Sequence, residues 1–135
     1  MTTIFSKIIS KEIPADIVYE DENILAFLDI NPVNPGHTLV IPKEPSTDGL
    51  ETNPEVLSQI IKIGQRVAQA QKKSLGCPGV NFVMNNGEAA GQEVFHTHLH
   101  VIPRYHDDKC FSKAMPTMSD RTKDKETAAL LASVI

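Results

Sequence analysis

Three of the five histidines in this 135-residue sequence occupy alternate positions within the stretch HTHLHVI: His96, His98 and His100. Alternate side chains of a β-strand point to the same face, so the spacing predicts that the three imidazoles share one face of a strand. The other face is expected to pack onto a long helix through the intervening residues: Phe95, Thr97, Leu99 and Val101. Histidines without a chemical role seldom recur in this way, and the row therefore indicates a functional site.

Two kinds of chemistry fit such a row. Imidazole is the commonest ligand of transition metals, and neighbouring histidines on a strand stand about 6–7 Å apart. The outer pair is about 13 Å apart by the same geometry, so another ligand would have to come from His37 or His106. Alternatively, the imidazole itself reacts, because its neutral form is both a nucleophile and a proton carrier near pH ~7. A central histidine with a partner on each side suits attack on phosphorus without a metal.

The segment before the row favours the second chemistry. Residues 87–94, GEAAGQEV, are rich in small side chains, so their backbone N–H groups can approach and hold a phosphate. The segment is also longer than a plain hairpin connection needs, which indicates a functional loop.

Two helices that would position the site are predicted from local signals. Asn53 as an N-cap, Pro54 at the first helical position and Gly76 at the end predict a long helix over residues 54–75. Apolar residues recur along it at three- and four-residue spacing: Leu57, Ile60, Ile61, Gly64, Val67 and Ala68. A short helix is predicted at residues 4–9, with its apolar residues packed inward: Ile4, Phe5, Ile8 and Ile9.

Five strands are predicted from short apolar runs that turn residues separate: residues 16–20, 23–30, 37–42, 80–85 and 94–104. Most connections are short and only one contains a long helix, which favours an antiparallel sheet and an α+β fold. The polar tail after Arg104 shows a short helix signal near residues 125–134. Such a tail is expected to be ordered only by packing on another surface.

Composition places the chain among ordinary globular proteins. It is 41% hydrophobic and 22% charged, with a net charge of −4 and no block of like charge. A nucleic-acid partner is not expected, because it would require a basic stripe. A membrane is not expected either, since no apolar run approaches the ~20 residues of a spanning helix. Cys77 and Cys110 stand alone, and the N-terminus lacks a secretion signal, so a cytoplasmic location is expected.

These motifs resemble the histidine triad (HIT) family, whose signature is His-φ-His-φ-His-φ-φ with φ apolar. The segments FLDINPVNPGHTLVIP and AGQEV resemble the Hint branch of that family, as does the opening TIFSKIISKEIP. The resemblance implies a HIT domain at residues 1–104 and leaves residues 105–135 as a tail that packs on the dimer. The implied fold is a five-stranded antiparallel sheet with one long helix and a short N-terminal helix.

The resemblance also implies roles for individual histidines. His98 would be the nucleophile that attacks an α-phosphate and carries the nucleotidyl group. His96 and His100 would orient it and the phosphate oxygens, and His37 would support the site from the adjacent strand. No metal and no cofactor would be needed.

Other residues would bind the substrate by the same resemblance. Asp29 would hold the ribose hydroxyls, with Ile30 beside it. Three apolar residues would line the pocket for a purine base, and a purely core role is equally expected for each: Phe5, Ile8 and Phe27. The phosphate and leaving group would meet a loop set: Asn85, Gly91, Gln92, Glu93 and Val94.

The sequence departs from the family pattern at several positions. Thr97 replaces an apolar residue inside the signature, which affects only local packing. Thr3, Ser6 and Pro45 stand where many HIT proteins carry apparent zinc ligands, so no structural zinc is expected. Glu93 stands where serine or threonine is frequent, and a carboxylate there repels a phosphate unless it meets a cationic leaving group.

The expected activity is hydrolysis or transfer at the α-phosphate of a purine nucleoside phosphoramidate, an AMP joined to an amine. A nucleotidyl-histidine intermediate would form on the way. Three alternatives stay open: a dinucleoside polyphosphate hydrolase, a nucleotide-binding regulatory protein and a zinc-dependent hydrolase.

A homodimer is expected on two grounds. A single sheet with one long helix leaves a sheet edge and a helix surface that a second subunit could cover. The family resemblance places the contact on that helix and the adjoining strand. Gly64 in the apolar stripe would allow the subunits to approach closely.

Overall fold

One antiparallel sheet forms the centre of the molecule, with the strand order β1-β2-β3-β5-β4. The computed structural model describes residues 2–109 and 120–135. Its elements are α1 (Ile4–Ile9), β1 (Ile17–Glu20), β2 (Ile24–Leu28), β3 (Thr38–Pro42), α2 (Pro54–Leu75), β4 (Gly79–Val83), β5 (Leu99–Arg104) and α3 (Asp124–Val134), with a short 3₁₀ turn at Glu88–Ala90. The predicted α+β architecture is confirmed.

The short helix α1 begins with a capping box. The Thr3 side chain accepts hydrogen bonds from the backbone N–H groups of Phe5 and Ser6, and the Ser6 hydroxyl accepts from the Thr3 N–H. Phe5 and Ile8 are buried against the sheet, as predicted, whereas Ile4 is 44% exposed. Six residues are fewer than two turns of helix, so only one side of α1 can face the core.

The central strands are buried because helices or loops cover both their faces. β2 pairs with β3 in continuous register from Ile24↔Pro42 to Leu28↔Thr38. At one end of β2 the predicted turn is present, and the Asp21 carboxylate accepts from the N–H groups of Asn23 and Ile24. Asp29 and Ile30, predicted within the strand, lie just beyond its end.

Helix α2 packs along the sheet and has the predicted bounds. Asn53 caps its N-terminus, and Gly76 ends it in a left-handed conformation, with φ 71°. A Cβ atom added at Gly64 would lie 2.7 Å from Leu99 Cδ2. Gly64 therefore lets the helix approach its own sheet, which corrects the prediction that it serves contact between subunits. Ile61, a member of the same apolar stripe, is 48% exposed.

The last strand differs most from its prediction. β5 begins at Leu99, whereas a strand over residues 94–104 was expected, and β3 pairs with it only from Thr38↔Val101 to Val40↔Leu99. Residues 94–98 make no ladder pairs with β3 or β4. Leu99 and Val101 pack in the core with α2, as predicted, but Phe95 is 40% exposed.

Helix α3 lies where the tail sequence predicted a short helix, and all of its residues are exposed. Cys110 lies outside the described residues, while Cys77 is a buried free thiol. No helix among residues 2–109 and 120–135 has both the length and the apolar character needed to cross a bilayer.

Candidate active site

Three histidines from two neighbouring chain segments form a continuous contact. His37 stands directly before β3, and His100 lies on β5, where it pairs with Leu39. The His37 Nε2 and His100 Nδ1 atoms are 2.9 Å apart, and the ring centres of His98 and His100 are 5.0 Å apart. The structure thus brings together the central histidine, one flanking histidine and the fourth histidine of the sequence prediction.

Backbone contacts determine which nitrogen of His37 carries its proton. The Val33 N–H group points at His37 Nδ1 from 3.0 Å, so this nitrogen accepts a hydrogen bond. The proton of neutral His37 therefore sits on Nε2, which donates to His100 Nδ1. Neutral His100 must then carry its own proton on Nε2, which leaves that N–H group able to donate.

The same reasoning identifies the reactive nitrogen of His98. Its Nδ1 atom lies 2.8 Å from the carbonyl oxygen of His96, which can only accept. Nδ1 therefore carries the proton, and Nε2 keeps a free lone pair in the neutral ring. This arrangement leaves one nitrogen ready for attack and holds the ring through the other.

His96 contributes its backbone more directly than its ring. Its Nε2–H donates to Pro42 O at 2.7 Å, and its ring contacts Phe5 edge-on. Its Nδ1 atom is buried and has no hydrogen-bond partner among the described residues. The sequence prediction gave the His96 imidazole the task of orienting His98, but it is the His96 carbonyl oxygen that holds the His98 ring.

Burial keeps these rings neutral. It lowers the pKa of His37, His96 and His98 below the ordinary value of 6.5. At His100, burial together with the charges of His98 and His37 lowers the pKa to about 4. The Asp29 carboxylate opposes the shift at three of the four without outweighing burial. Near pH ~7 the lone pair of His98 is therefore available.

Asp29 lies beside the contact between His37 and His100. Its Oδ2 atom lies 3.5 Å from His37 Nε2, but the lowered pKa of His37 makes this a contact with a neutral ring and not an ion pair. Its Oδ1 atom accepts from the Asn31 N–H at 2.9 Å. Ile30, the next residue, is 83% exposed. The two residues thus lie at the edge of the site, where a ribose could reach them.

The predicted base-pocket residues belong to the core. Phe5, Ile8 and Phe27 are each at least 93% buried and pack in one apolar cluster. Phe5 also meets the His98 ring edge-on, with ring centres 5.0 Å apart. The core role is therefore present, and contact with a purine stays a prediction.

The loop before His96 is braced from within. Gln92 is buried, its side-chain amide donates to Thr47 O and Val94 O, and its Oε1 accepts from the Gly87 N–H. Its backbone N–H also donates to Gly87 O. Gln92 therefore holds the loop together, and a direct phosphate contact would have to break these bonds.

The remaining loop residues have room for a ligand. Glu93 is exposed, Val94 is half-buried, and Asn85 is also half-buried. A Cβ atom added at Gly91 would lie 3.7 Å from Asn85 Nδ2, so the side chain of Asn85 borders this glycine. Gly91 adopts φ 92°, a left-handed conformation that favours glycine.

One group of side chains has the spacing of a metal site. Ligand atoms of Asp29, His37 and His100 all lie within 4.8 Å of one another. However, His37 Nε2 carries a proton, and moving that proton to Nδ1 would oppose it to the Val33 N–H group. The local hydrogen bonds therefore disfavour a metal at this position.

The positions of the expected zinc ligands are also unsuited to a metal. Thr3 and Ser6 use their hydroxyl groups in the capping box of α1. Neutral hydroxyls are poor ligands for zinc compared with thiolates and imidazoles. The buried Nδ1 atom of His96 has a lone pair that could bind a metal, but these hydroxyls do not add the strong ligands that zinc requires.

One positioning residue escaped the sequence analysis. Gln71 on α2 is buried and donates from Nε2 to Gly36 O at 2.9 Å and to Val101 O at 3.0 Å. These carbonyls belong to the residues next to His37 and His100. Gln71 follows Val67 by four positions, so its place on the inward stripe was the signal that could have identified it.

Comparisons with known proteins identify the family of the chain. The HIT domain family profile matches residues 10–107. The sequence is 37% identical over 131 residues to the Arabidopsis thaliana protein named adenylylsulfatase HINT3, covering 97% of this chain and 66% of that protein. The crystal structure of a HIT family protein from Bacillus anthracis is similar, with a TM-score of 0.88, 41% identity and coverage of 98% of this chain and 96% of that one. A zinc-bound histidine triad family protein from Mycobacterium smegmatis has a TM-score of 0.78 and 41% identity, with coverage of 100% and 99%.

Proposed function

Because the chain belongs to the HIT family, whose members are generally nucleotide hydrolases or transferases, we propose that it hydrolyses purine nucleoside phosphoramidates. In these compounds AMP is joined to an amine through a P–N bond. The observation that carries the proposal is the protonation pattern of His98, whose Nδ1–H is held by a carbonyl while Nε2 is left with a lone pair. The HIT-like α+β fold supports it, since solved HIT family structures share this architecture.

The proposed reaction has two steps at the α-phosphorus. His98 Nε2 attacks and forms an N–P bond, the P–N bond of the substrate breaks, and the amine leaves with the electron pair and takes up a proton. Water then adds to phosphorus and gives up a proton, which replaces the one that the amine took. The bond to Nε2 breaks with its electron pair returning to His98, and AMP is released. Two displacements of this kind replace one difficult hydrolysis by two easier steps.

His100 serves the proposed reaction as a donor. Its Nε2–H, set by the His37 contact, is available for a hydrogen bond to a non-bridging phosphate oxygen. With a pKa of about 4 in the free protein, His100 is neutral near pH ~7. A phosphate anion bound beside it raises that pKa. In the imidazolium form, which requires the His37 proton to move from Nε2 to Nδ1, the ring would give its Nε2 proton to the departing amine.

The leaving group is proposed to be a cationic amine such as a lysine side chain. Exposed Glu93 lies in the loop before His96, and a carboxylate there attracts an ammonium and repels a second polyphosphate. Glu93→Ser should therefore narrow the gap in kcat/KM between lysine-linked and uncharged amines. An unchanged gap would remove Glu93 from the specificity of the enzyme.

The deciding experiment compares kcat/KM for adenosine phosphoramidates and diadenosine polyphosphates in one buffer. Faster use of the phosphoramidate is expected, and acid quench during turnover should trap AMP on an imidazole. Equal or faster use of the dinucleotide would move the protein to the dinucleotide-cleaving branch. Binding of AMP without turnover of any compound would favour a regulatory protein.

Adenylyl sulfate is a second candidate substrate, because the plant relative with 37% identity is named an adenylylsulfatase. Sulfate leaves without a proton, whereas an amine requires one. If adenylyl sulfate is the better substrate, its kcat should be less sensitive to a His100→Gln change than that of a phosphoramidate. Adenylyl sulfate therefore belongs in the same substrate panel.

The protein is also proposed to work as a homodimer without a metal or cofactor. The edge strand β4 presents Phe82, 46% exposed, beside the single ladder that it shares with β5, and an edge of this kind is a surface for pairing. Light scattering should give twice the chain mass of 14.8 kDa, and turnover should survive a chelator. The tail packing, the cytoplasmic location and the lack of a nucleic-acid partner stay predictions.

A further inference from the structure

The proposed nucleophile lies in a segment that the sheet does not hold. The ladder between β3 and β5 ends at Val40↔Leu99, so residues 94–98 have no strand pairing. A nucleophile requires a fixed position, because a displacement of about 1 Å can cost ~10²-fold in rate. Some other set of contacts must therefore hold the backbone on either side of His98.

A buried cluster of three hydroxyl groups meets this segment. The hydroxyl cluster consists of Ser46, Thr52 and Thr97, with all three oxygen–oxygen distances between 2.8 and 2.9 Å. Thr97 is 0% exposed, and Thr52 is 7% exposed. The Thr97 N–H also donates to Ser46 O at 2.8 Å. Thr97 is thus attached to the loop before α2 by its side chain and by its backbone.

The hydroxyl protons can be arranged with Thr97 at the centre of the cluster. Thr52 donates its hydroxyl proton to Asp48 O at 2.7 Å, so it can only accept from the other two hydroxyls. In this arrangement Ser46 donates to Thr97, Thr97 to Thr52 and Thr52 to Asp48 O, so every hydroxyl proton has an acceptor. The Thr97 hydroxyl also lies 3.2 Å from Ser46 O, a second acceptor on the same loop. A valine at position 97 would keep the shape and remove both the donor and the acceptor.

Thr97 stands between the two groups that define the reactive tautomer. The carbonyl oxygen of His96, on one side, accepts the Nδ1–H of His98, on the other. Fixing Thr97 therefore fixes the peptide that carries the acceptor and the backbone that carries the ring. An apolar residue here could fill the space and keep the backbone bond to Ser46 O, but its side chain could not bind the hydroxyls of Ser46 and Thr52.

We propose that Thr97 is a positioning residue for His98, acting through the hydroxyl cluster to hold the His96 carbonyl against His98 Nδ1–H. The proposal rests on the proposed function of His98 as nucleophile. It gives the departure from the apolar HIT signature a role in the reaction, where the sequence alone indicated only a change in packing.

The test compares Thr97→Val, which lacks the hydroxyl, with Thr97→Ser, which keeps it. Thr97→Val should lower kcat for an adenosine phosphoramidate at least about tenfold while KM changes less than about twofold. Thr97→Ser should recover kcat to within about threefold of the parent. Ile63→Val, a core change on α2 away from the cluster, is the control for a loss of packing alone and should leave kcat unchanged.

A second readout does not depend on turnover. Nitrogen-15 NMR distinguishes protonated from bare ring nitrogens, and His98 should show Nδ1–H in the parent and a mixture of tautomers in Thr97→Val. Parent-like spectra and kcat in Thr97→Val, or equal losses in the valine and serine variants, would overturn the proposal. If Thr97→Val does not fold, Thr52→Val removes the next acceptor and must shift the same resonances for the proposal to stand.

The two readouts separate failure of this proposal from failure of the proposed function. If His98→Ala keeps turnover, His98 is not the nucleophile and the positioning role ends with it. If His98→Ala is inactive and Thr97→Val is like the parent in both readouts, only the positioning role is wrong.

Discussion

Residues 94–98 and residues 99–104 are adjacent in sequence, yet they are held in different ways. The second segment is strand β5, which pairs with β3 and β4 and contributes Leu99 and Val101 to the core. The first has no ladder and is held by the His96 ring on Pro42 O and by the hydroxyl cluster. The proposed nucleophile and the core of the strand are therefore separated by one residue boundary, between His98 and Leu99.

This difference indicates why the reactive side chain lies outside the sheet. A paired strand fixes every side chain by a common register, whereas an unpaired segment can be adjusted at one residue. Backbone groups freed from a ladder can also serve side chains, as the His96 carbonyl serves His98.

His98→Ala should remove almost all turnover, with a loss in kcat of at least about 10³-fold, because no other group replaces the covalent step. The measurement is steady-state hydrolysis of an adenosine phosphoramidate with quantification of trapped nucleotide. His106→Ala changes an exposed histidine outside the contact of His37, His98 and His100. Its kcat should stay near that of the parent. Turnover of His98→Ala within tenfold of the parent would show that the nucleophile lies elsewhere.

Leu99→Ala should mainly reduce stability, although it changes the very next residue. Leu99 is 3% exposed in the core beneath α2, so its truncation should cost about 2–5 kcal/mol of unfolding free energy. Denaturant unfolding measures the loss, and kcat of the folded fraction should stay within about threefold. Phe95→Ala, in the unpaired segment and 40% exposed, should cost less, about 1 kcal/mol. Equal losses at the two positions would contradict the proposed separation.

Gln71→Met should lower kcat/KM about tenfold, since it removes the two hydrogen bonds that tie α2 to the carbonyls beside His37 and His100. The ring resonances of His37 and His100 should then broaden or shift in NMR spectra. Val67→Ala, one turn earlier on the same helix face, loses packing without touching those carbonyls. If Val67→Ala reduces kcat/KM equally, the effect of Gln71 comes from stability alone.

Acid should weaken the fold through the histidines. The pKa of His100 is about 4 when folded and 6.5 in the ordinary state, so the unfolded chain binds more protons between these values. Stability is therefore fully present above pH ~6.5 and declines as the pH falls towards ~4. Unfolding free energy measured at several pH values in that window should fall less steeply in His100→Asn. Parallel curves for the two proteins would exclude this contribution.

Local signals in the sequence predicted most of the framework. Asn53, Pro54 and Gly76 specify where α2 begins and ends because a cap requires only neighbouring groups. The turn at Asp21 and the apolar runs placed β1 to β4 within a few residues. The identity of the site residues also came from the sequence, since the spacing of the histidines and the HIT signature are properties of the chain itself.

The tertiary structure decided how those residues are set for chemistry. The start of β5, the proton positions on His37 and His98 and the hydroxyl contacts of Thr97 all depend on groups distant in sequence or on burial. Strand alternation places a side chain on a face but does not tell which carbonyl its ring will meet. Burial, which lowers the pKa of His100 to about 4, exists only once the sheet, α1 and the loops have enclosed the rings. The sequence by itself thus determined which groups are present, and packing decided which nitrogen is free to react.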